Sequence, residues 1–302
     1  MQLFHKTNIN FMGVRRTMYA LSGAVILAGL ISLFIKGIDY GIDFRGGTEL
    51  VLSFDDPPAI GEIREALRSI GLERSEIKYF GTAGDVLIRT TEQAEGISDR
   101  IKGAVQTAFP AKSFEVLKEY RIFPRISEEL RRDALYAVVA SLIVILVYIA
   151  FRFKFIYGVG AVVALFHDVL VALGVLSLID GVFPFLNVEI TQEVVAAFLT
   201  LVGISVNDTV VVFDRIRENL KIYRSLSLTE VINRSLNDTL SRTIITQGTV
   251  LLVLLILLLF GGEVTRGFAF TLFIGTIAGT HSSIYIASAV VLDWNIRKKS
   301  PA

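Results

Sequence analysis

The sequence predicts a polytopic α-helical membrane protein, with six transmembrane helices and a ferredoxin-like α/β domain outside the membrane between the first and second helices. Three observations lead there. Of 302 residues, 53% are hydrophobic and 20% charged, with a mean hydropathy of +0.60; a soluble domain carries more charge and a less apolar average. The apolar residues fall into six blocks long enough to cross a bilayer. Between the first two blocks lies a polar stretch with strand and helix periodicities. A net charge of +1 provides no basic field for nucleic acid. The absence of cysteine excludes disulfides, thiolate catalysis and thiolate metal sites. No phosphate loop or nucleotide fingerprint occurs, so ATP is not the chain's own energy source. No cofactor and no metal site is expected.

The blocks are Thr17–Ile35, Tyr136–Phe151, Phe155–Ile179, Gln192–Phe213, Thr243–Phe260 and Phe268–Leu292. The first follows Arg15 and Arg16 as a signal peptide would. It is longer than the usual ~7–15-residue hydrophobic region, however, and is followed by Lys36-Gly37-Ile38-Asp39 rather than a cleavage site. It is read as a retained helix. The connection Asp214–Arg242 reads as a charged amphipathic helical hairpin. Basic residues orient the whole: Arg15, Arg16, Arg152, Lys154, Arg215, Arg217, Lys221, Arg224, Arg297, Lys298 and Lys299 fall on one side. The opposite short loops hold Asp180, Glu189, Glu263 and Arg266. The positive-inside rule predicts cytoplasmic termini. The expected organisation is a cytoplasmic N-terminus and first helix over 1–36, an extracytoplasmic (periplasmic) domain over 37–132, and a five-helix bundle with a cytoplasmic tail over 133–302.

The outer segment alternates as a strand over Thr48–Phe54, and a helix follows from Pro58-Ala59 with Ile60, Ile63 and Leu67 on one face. Strand-like runs Glu76–Phe80 and Asp85–Thr90 flank a Gly81-Thr82-Ala83-Gly84 turn. An amphipathic helix over about Thr91–Ala108 and a strand over Ser113–Tyr120 complete a βαββαβ order, the ferredoxin-like pattern.

Within the spans, polar residues are few. Asp208 lies near the end of span four, in Gly203-Ile204-Ser205-Val206-Asn207-Asp208-Thr209. A carboxylate there costs a few kcal/mol to insert, and such residues face a partner or a water-filled cavity and default to function. The competing reading is a carboxylate that snorkels or ties two helices together. Asp214 at the helix end is expected to pair with Arg215. Thr239, Arg242, Thr246 and Thr249 recur at three- and four-residue steps and predict a polar stripe on span five, with Ser205 and Asn207 as polar neighbours of Asp208 on span four. Arg242 lies at a depth similar to Asp208, and a snorkelling arginine is the alternative. His167-Asp168 stands near the middle of span three; a histidine there can carry a proton or make a structural hydrogen bond between helices. Gly275, Gly279, Ser283 and Ala287 recur every fourth residue in span six, the pattern of close helix packing. Two aspartates on consecutive spans raise an intramembrane aspartyl protease, but the Gly-x-Gly-Asp context is missing.

At these residues the chain resembles the SecF family, the smaller subunit of the SecD–SecF accessory complex of protein secretion. The resemblance runs nearly end to end through Gly41-Ile42-Asp43-Phe44-Arg45-Gly46-Gly47-Thr48, Ser127-Glu128-Glu129-Leu130-Arg131, Tyr157-Gly158-Val159-Gly160 with His167-Asp168, Val206-Asn207-Asp208-Thr209 through Asn219, and Ser241-Arg242-Thr243. Two departures stand out: Ile122-Phe123-Pro124 where relatives commonly have Val-Gly-Pro, and His281 where they often have tyrosine. The resemblance implies a half-transporter of the RND superfamily that pairs with SecD and uses the proton-motive force to promote export of preproteins. Its implied setting is the inner membrane. Its implied partners are SecYEG, YajC, the preprotein on the outer side, and lipid. Asp208 and Arg242 would be the proton-relay pair, with His167 and Asp168 a second candidate station. Gly41, Asp43, Arg45, Gly46 and Gly47 would form a hinge or rigid corner, where glycine allows close backbone approach. The rival is a small-molecule or lipid exporter of the same superfamily acting as a homodimer, since six spans are half of the usual twelve. A passive membrane scaffold is a third class.

Overall fold

The computed structural model describes residues 7–80, 84–153, 155–182 and 188–299. The turn expected at 81–83 and the basic Lys154 lie outside them. The described residues form two compact units, one of residues 39–137 with 188–192, the other of 7–38, 138–182 and 193–299.

In the first unit, a four-residue helix α2 (Ile42–Arg45) leads into β1 (Gly47–Phe54), α3 (Ile60–Arg68), β2 (Glu76–Tyr79), β3 (Asp85–Thr90), α4 (Ile97–Ala108) and β4 (Phe114–Ile122). The strands pair antiparallel in the order β2-β3-β1-β4, the topology of the expected ferredoxin-like fold. One face of the sheet is apolar: Leu50, Leu52, Ile77, Val86 and Ile88 meet Ile63 and Leu67 of α3 and Ile97, Ile101 and Val105 of α4, because alternate strand residues share a face. The other face carries a buried charge cluster. Arg89 reaches Glu49 at 2.7 Å and Glu76 at 3.3 Å, and Lys118 reaches Glu49 at 2.8 Å. The second helix starts six residues later than the periodicity suggests. Gly96 sits in the left-handed region at φ 75° immediately before it, and a backbone turned that way ends helical continuity.

In the second unit, a 3₁₀ turn precedes α1 (Arg15–Lys36). It is followed by α5 (Pro124–Arg152), which starts in the first unit, α6 (Phe155–Ile179), α7 (Gln192–Ile222), α8 (Leu228–Phe260) and α9 (Gly262–Ser282). A π turn at Ser283–Ala287 carries α9 into α10 (Ser288–Lys299) as one span. Among the described residues, six helices are long and apolar enough to cross a membrane, as expected. Fully exposed Phe34, Phe151 and Phe260 suit a surface solvated by lipid. The bundle core gathers on Phe213, which meets Tyr157 and Phe153 edge-on at 5.0 and 5.9 Å. Helices α1 and α6 cross through glycine: a Cβ built on Gly29 would lie 2.4 Å from the Cα of Gly174. One turn further on, Ser32 and Ser177 share a hydrogen bond of 2.8 Å.

The expected charged hairpin is not a separate element. Helix α7 runs on to Ile222, and α8 begins at Leu228 under a Ser227–Glu230 capping box. No breaker stands between Asp214 and Ile222 or between Leu228 and Thr243, so the spans extend beyond the apolar blocks. The expected Asp214–Arg215 pair is also corrected. Asp214 binds Arg152 at 2.5 Å and Arg217 at 3.4 Å, while Arg215 binds Glu218 and Asp238. Adjacent residues on a helix point about 100° apart and do not face each other.

Candidate functional site

Asp208 is buried on the inner face of α7. Its Oδ1 accepts a hydrogen bond from Thr243 Oγ1 at 3.4 Å, and Gln247 and Ser283 stand within interaction range. Its Oδ2 and the Gln247 Oε1 are buried yet close no hydrogen bond of normal geometry among the described residues. The carboxylate lines a cavity of about 160 Å³ with Asn207, Arg242, Thr246 and Gln247. Arg242 is exposed at its rim and also lines a second, more charged cavity of about 480 Å³ with Asp214, Arg215, Glu218 and Asp238. Arg242 and Asp208 thus share one cavity, with no ion pair between them among the described residues.

The expected threonine stripe is displaced by one position. The buried face of α8 carries Thr239, Thr243 and Gln247 at four-residue steps, whereas Thr246 and Thr249 are exposed and donate to their own backbone. Thr246 still lines the Asp208 cavity; Thr249 opens instead on an apolar groove with Ile245, Leu252 and Phe273. The stripe through Arg242 and the stripe through Thr243 lie side by side on the helix. Only the neighbours in space decide which of them is buried. The signal for Thr243 and Gln247 in the sequence is their four-residue spacing from Thr239.

A second buried carboxylate lies at Asp168 on α6. Oδ1 meets His167 Nδ1 at 2.9 Å, and Oδ2 accepts from Ser282 Oγ at 2.8 Å and from Ser205 Oγ. The His167 ring stacks on His281 at 5.7 Å, and His281 meets Tyr285 at 5.2 Å. Small residues of α9 and the π turn after it meet α7 at four-residue steps: Gly275 against Leu201, Gly279 against Ser205 with a built Cβ 3.3 Å away, and Ser283 against Thr209 at 2.9 Å between hydroxyls. Along that seam Asp168 holds Ser205 and Ser282, while Ser283, bonded to Thr209, stands within range of Asp208. In the sequence, the adjacency of Ser282 to the small-residue row gives no sign of which helix it faces.

In the first unit, the glycine-rich corner is held from several directions. Ile42, Asp43 and Phe44 are buried. The Gly41 N–H donates to the Ile190 carbonyl at 2.9 Å, Arg45 pairs with Asp39 at 2.6 Å, and Arg131 of α5 donates to the Phe44 carbonyl at 2.6 Å. Gly46 and Gly47 have φ of 72° and 134°, and a Cβ on Gly47 would lie 2.3 Å from the Thr90 carbonyl oxygen. Only glycine fits there.

A helical bundle with two buried carboxylates on a polar seam, interrupted by one βαββαβ domain after its first helix, defines a multi-pass membrane protein of the transport class. The family description "Protein export membrane protein SecD/SecF, C-terminal" matches residues 101–297, and "SecD/SecF GG Motif" matches residues 31–58. The protein translocase subunit SecF of Rhodothermus marinus is 47% identical over 98% of this chain and 96% of its own length; that of Pseudomonas aeruginosa is 38% identical over 95% and 92%. The crystal structure of SecDF from Thermus thermophilus, a translocon-associated membrane protein, is 37% identical with a TM-score of 0.85; it covers 97% of this chain, and this chain covers 39% of it. SecDF in the super-membrane-facing form gives a TM-score of 0.72 at 36% identity, covering 99% of this chain and 40% of the SecDF chain. The chain thus spans about two fifths of each SecDF chain. It belongs to the SecF side of the SecD/SecF family of protein export membrane proteins, and its role lies in protein export.

Proposed function

We propose that this chain is the smaller half of a proton-driven export unit, and that Asp208 is the group that takes up and releases the proton. The observation that carries the reading is the placement of one buried carboxylate in a cavity that it shares with Arg242, itself part of a second, charged cavity beside it. A proton moving between the two cavities passes Arg242. An arginine that approaches stabilises the ionised carboxylate, and one that withdraws favours the protonated form. One elementary charge falling through 100 mV releases about 2.3 kcal/mol, enough to bias two nearly balanced states by roughly fifty-fold. Asp168 with His167 is the second station; Ser282 bonds Asp168, and Ser283, bonded to Thr209, stands within range of Asp208.

The missing half is SecD, whose own six spans would complete the twelve. SecDF relatives that contain this chain's equivalent within one longer chain support that pairing. Exposed Asn207, Arg242 and Thr246 give a partner helix polar groups to meet. The membrane is the cytoplasmic (inner) one, with both termini inside, because Arg15, Arg152, Arg215 and Arg217 lie at the ends that follow the positive-inside rule. SecYEG and YajC are the neighbouring subunits, the preprotein the cargo and the proton gradient the energy source. The test is Asp208→Asn in the full complex. Proton-dependent export is expected to be lost with membrane insertion intact; normal export would end this reading, because an amide can still hydrogen-bond but does not titrate.

A further inference from the structure

Asp168 is held by hydroxyls at one oxygen and by an imidazole at the other. Ser205 and Ser282 donate to Oδ2, and His167 Nδ1 meets Oδ1 at 2.9 Å. From His167 a file of rings leads away from the carboxylate. His281 stacks on His167 at 5.7 Å with 23° between the planes, and Tyr285 follows at 5.2 Å. Phe11, from the segment before α1, ends the file edge-on to Tyr285 at 5.9 Å. The described residues that line the Asp208 cavity include none of these four, so the file reaches Asp168 from a side of its own.

An imidazole in an apolar span is costly, and buried polar atoms ordinarily find a partner. The Nε2 atoms of His167 and His281 are both buried and close no hydrogen bond among the described residues. Packing does not account for them, because a phenylalanine fills similar space with no polar atom to bury. Of these rings, only an imidazole takes a proton at one nitrogen and gives one up at the other. When Asp168 carries a proton on Oδ1, His167 accepts it at Nδ1 and releases the proton on Nε2 toward His281. Asp168 is left a carboxylate, His167 stays neutral and His281 becomes the cation. At that separation the rings are offset rather than superposed, so their edge nitrogens are not covered by each other. Two imidazolium charges so close repel, and the pair therefore carries one added proton at a time.

The end of the file is fixed through the backbone. The Ile9 N–H donates to Asn237 Oδ1 at 2.9 Å, and Asn237 Nδ2 donates to the Ile9 carbonyl at 2.9 Å. One turn back on α8, Asn233 Oδ1 accepts from the Met12 N–H at 2.9 Å. Between exposed neighbours, Phe11 and Met12 are thereby seated in the bundle core, 4% and 0% exposed.

We propose that His281 is a proton-relay residue between His167 and the side of the bundle that carries the N-terminal segment, and that Phe11, seated on Tyr285, is the cover of that branch. The inference deepens the reading of Asp168 and His167 as the second station and rests on it. With the termini in the cytoplasm, the branch is an exit. A proton leaves Asp168 through His167 and His281 when Phe11 lifts from Tyr285, whose hydroxyl both donates and accepts and is the last group before water.

Export and proton flux, the latter followed with a pH-sensitive dye, are measured in vesicles carrying the whole export complex. Phe11→Leu keeps an apolar side chain in the seat and removes the ring contact. Without preprotein it should leak protons about two- to tenfold faster, the contribution of one edge-on aromatic pair. Adding His281→Phe should return the leak to its natural level. By itself, His281→Phe should lose most proton-driven export at unchanged abundance and insertion. His281→Tyr, whose hydroxyl can pass a proton, should keep most of it. No leak from Phe11→Leu, or a leak that survives His281→Phe, overturns the branch. Normal export by His281→Phe also overturns it, as does a loss shared equally by His281→Tyr, since the imidazole then serves only packing. Any of these with Asp208→Asn inactive leaves the reading of Asp208 standing. Normal export by Asp208→Asn ends that reading and the branch with it.

Discussion

Arg89→Met tests whether the charge cluster on the polar face of the sheet holds the outer domain together. The Arg89 side chain is 10% exposed, and those of Glu49 and Glu189 are 4% and 2% exposed. Removing one partner of a buried pair costs about 3–5 kcal/mol. Glu189 keeps Lys78 and Glu49 keeps Lys118, so the lower end applies, about 3 kcal/mol. At 1.36 kcal/mol per tenfold, amide exchange in the strands should quicken roughly 150-fold. The assay is hydrogen exchange of the intact protein in lipid discs, read at Leu50–Leu52 of β1 and Leu87–Ile88 of β3. Lys112→Ala is the control, because its partner Asp56 is 85% exposed and exposed pairs contribute no more than about 1 kcal/mol.

The same cluster sets a pH dependence. Burial pushes the Glu49 carboxyl up, but hydrogen bonds from Lys118 and Arg89 outweigh it and hold the group below its ordinary 4.5. Glu76 is likewise pushed up by burial and pulled lower overall by Lys78 and Arg89. A depressed carboxyl stabilises the fold above pH 4.5, and that contribution is lost as pH falls through the lowered value. The natural domain should therefore lose protection below pH 4.5, and Arg89→Met should show a shallower loss. Acceleration under about tenfold at neutral pH, with an unchanged acid limb, would refute the reasoning.

Gly29→Val should force α1 from α6, because the new Cβ would meet the Gly174 backbone rather than a side chain that can rotate away; overpacking of this kind costs about 1–3 kcal/mol. The disulfide yield of Ser32→Cys with Ser177→Cys reports it, and Gly23→Val, with open space around it, should leave that yield unchanged. Gly47→Ala combines a left-handed φ with a clash on the Thr90 carbonyl and should destabilise β1 by about 2 kcal/mol or more. Gly71→Ala, strained in φ with nothing nearby, should cost less by the same exchange measurement.

By itself, the sequence determined the six spans, the βαββαβ order and the candidacy of Asp208 and Asp168. Each of these rests on local periodicity or on the cost of one charged group in an apolar run, and neither depends on what lies across the fold. Tertiary structure alone decided the pairings. It chose Thr243 and Gln247 over Thr246 and Thr249 as the buried face toward Asp208, because two helical stripes one residue apart differ only in which helix packs against them. It set Ser205 and Ser282 on Asp168, joined Asp214 to Arg152 rather than to its chain neighbour, and drew Glu189 into a cluster with Arg89. In each case the partners stand far apart in the chain, and a buried charge is satisfied by whatever the packing brings within about 3 Å of it.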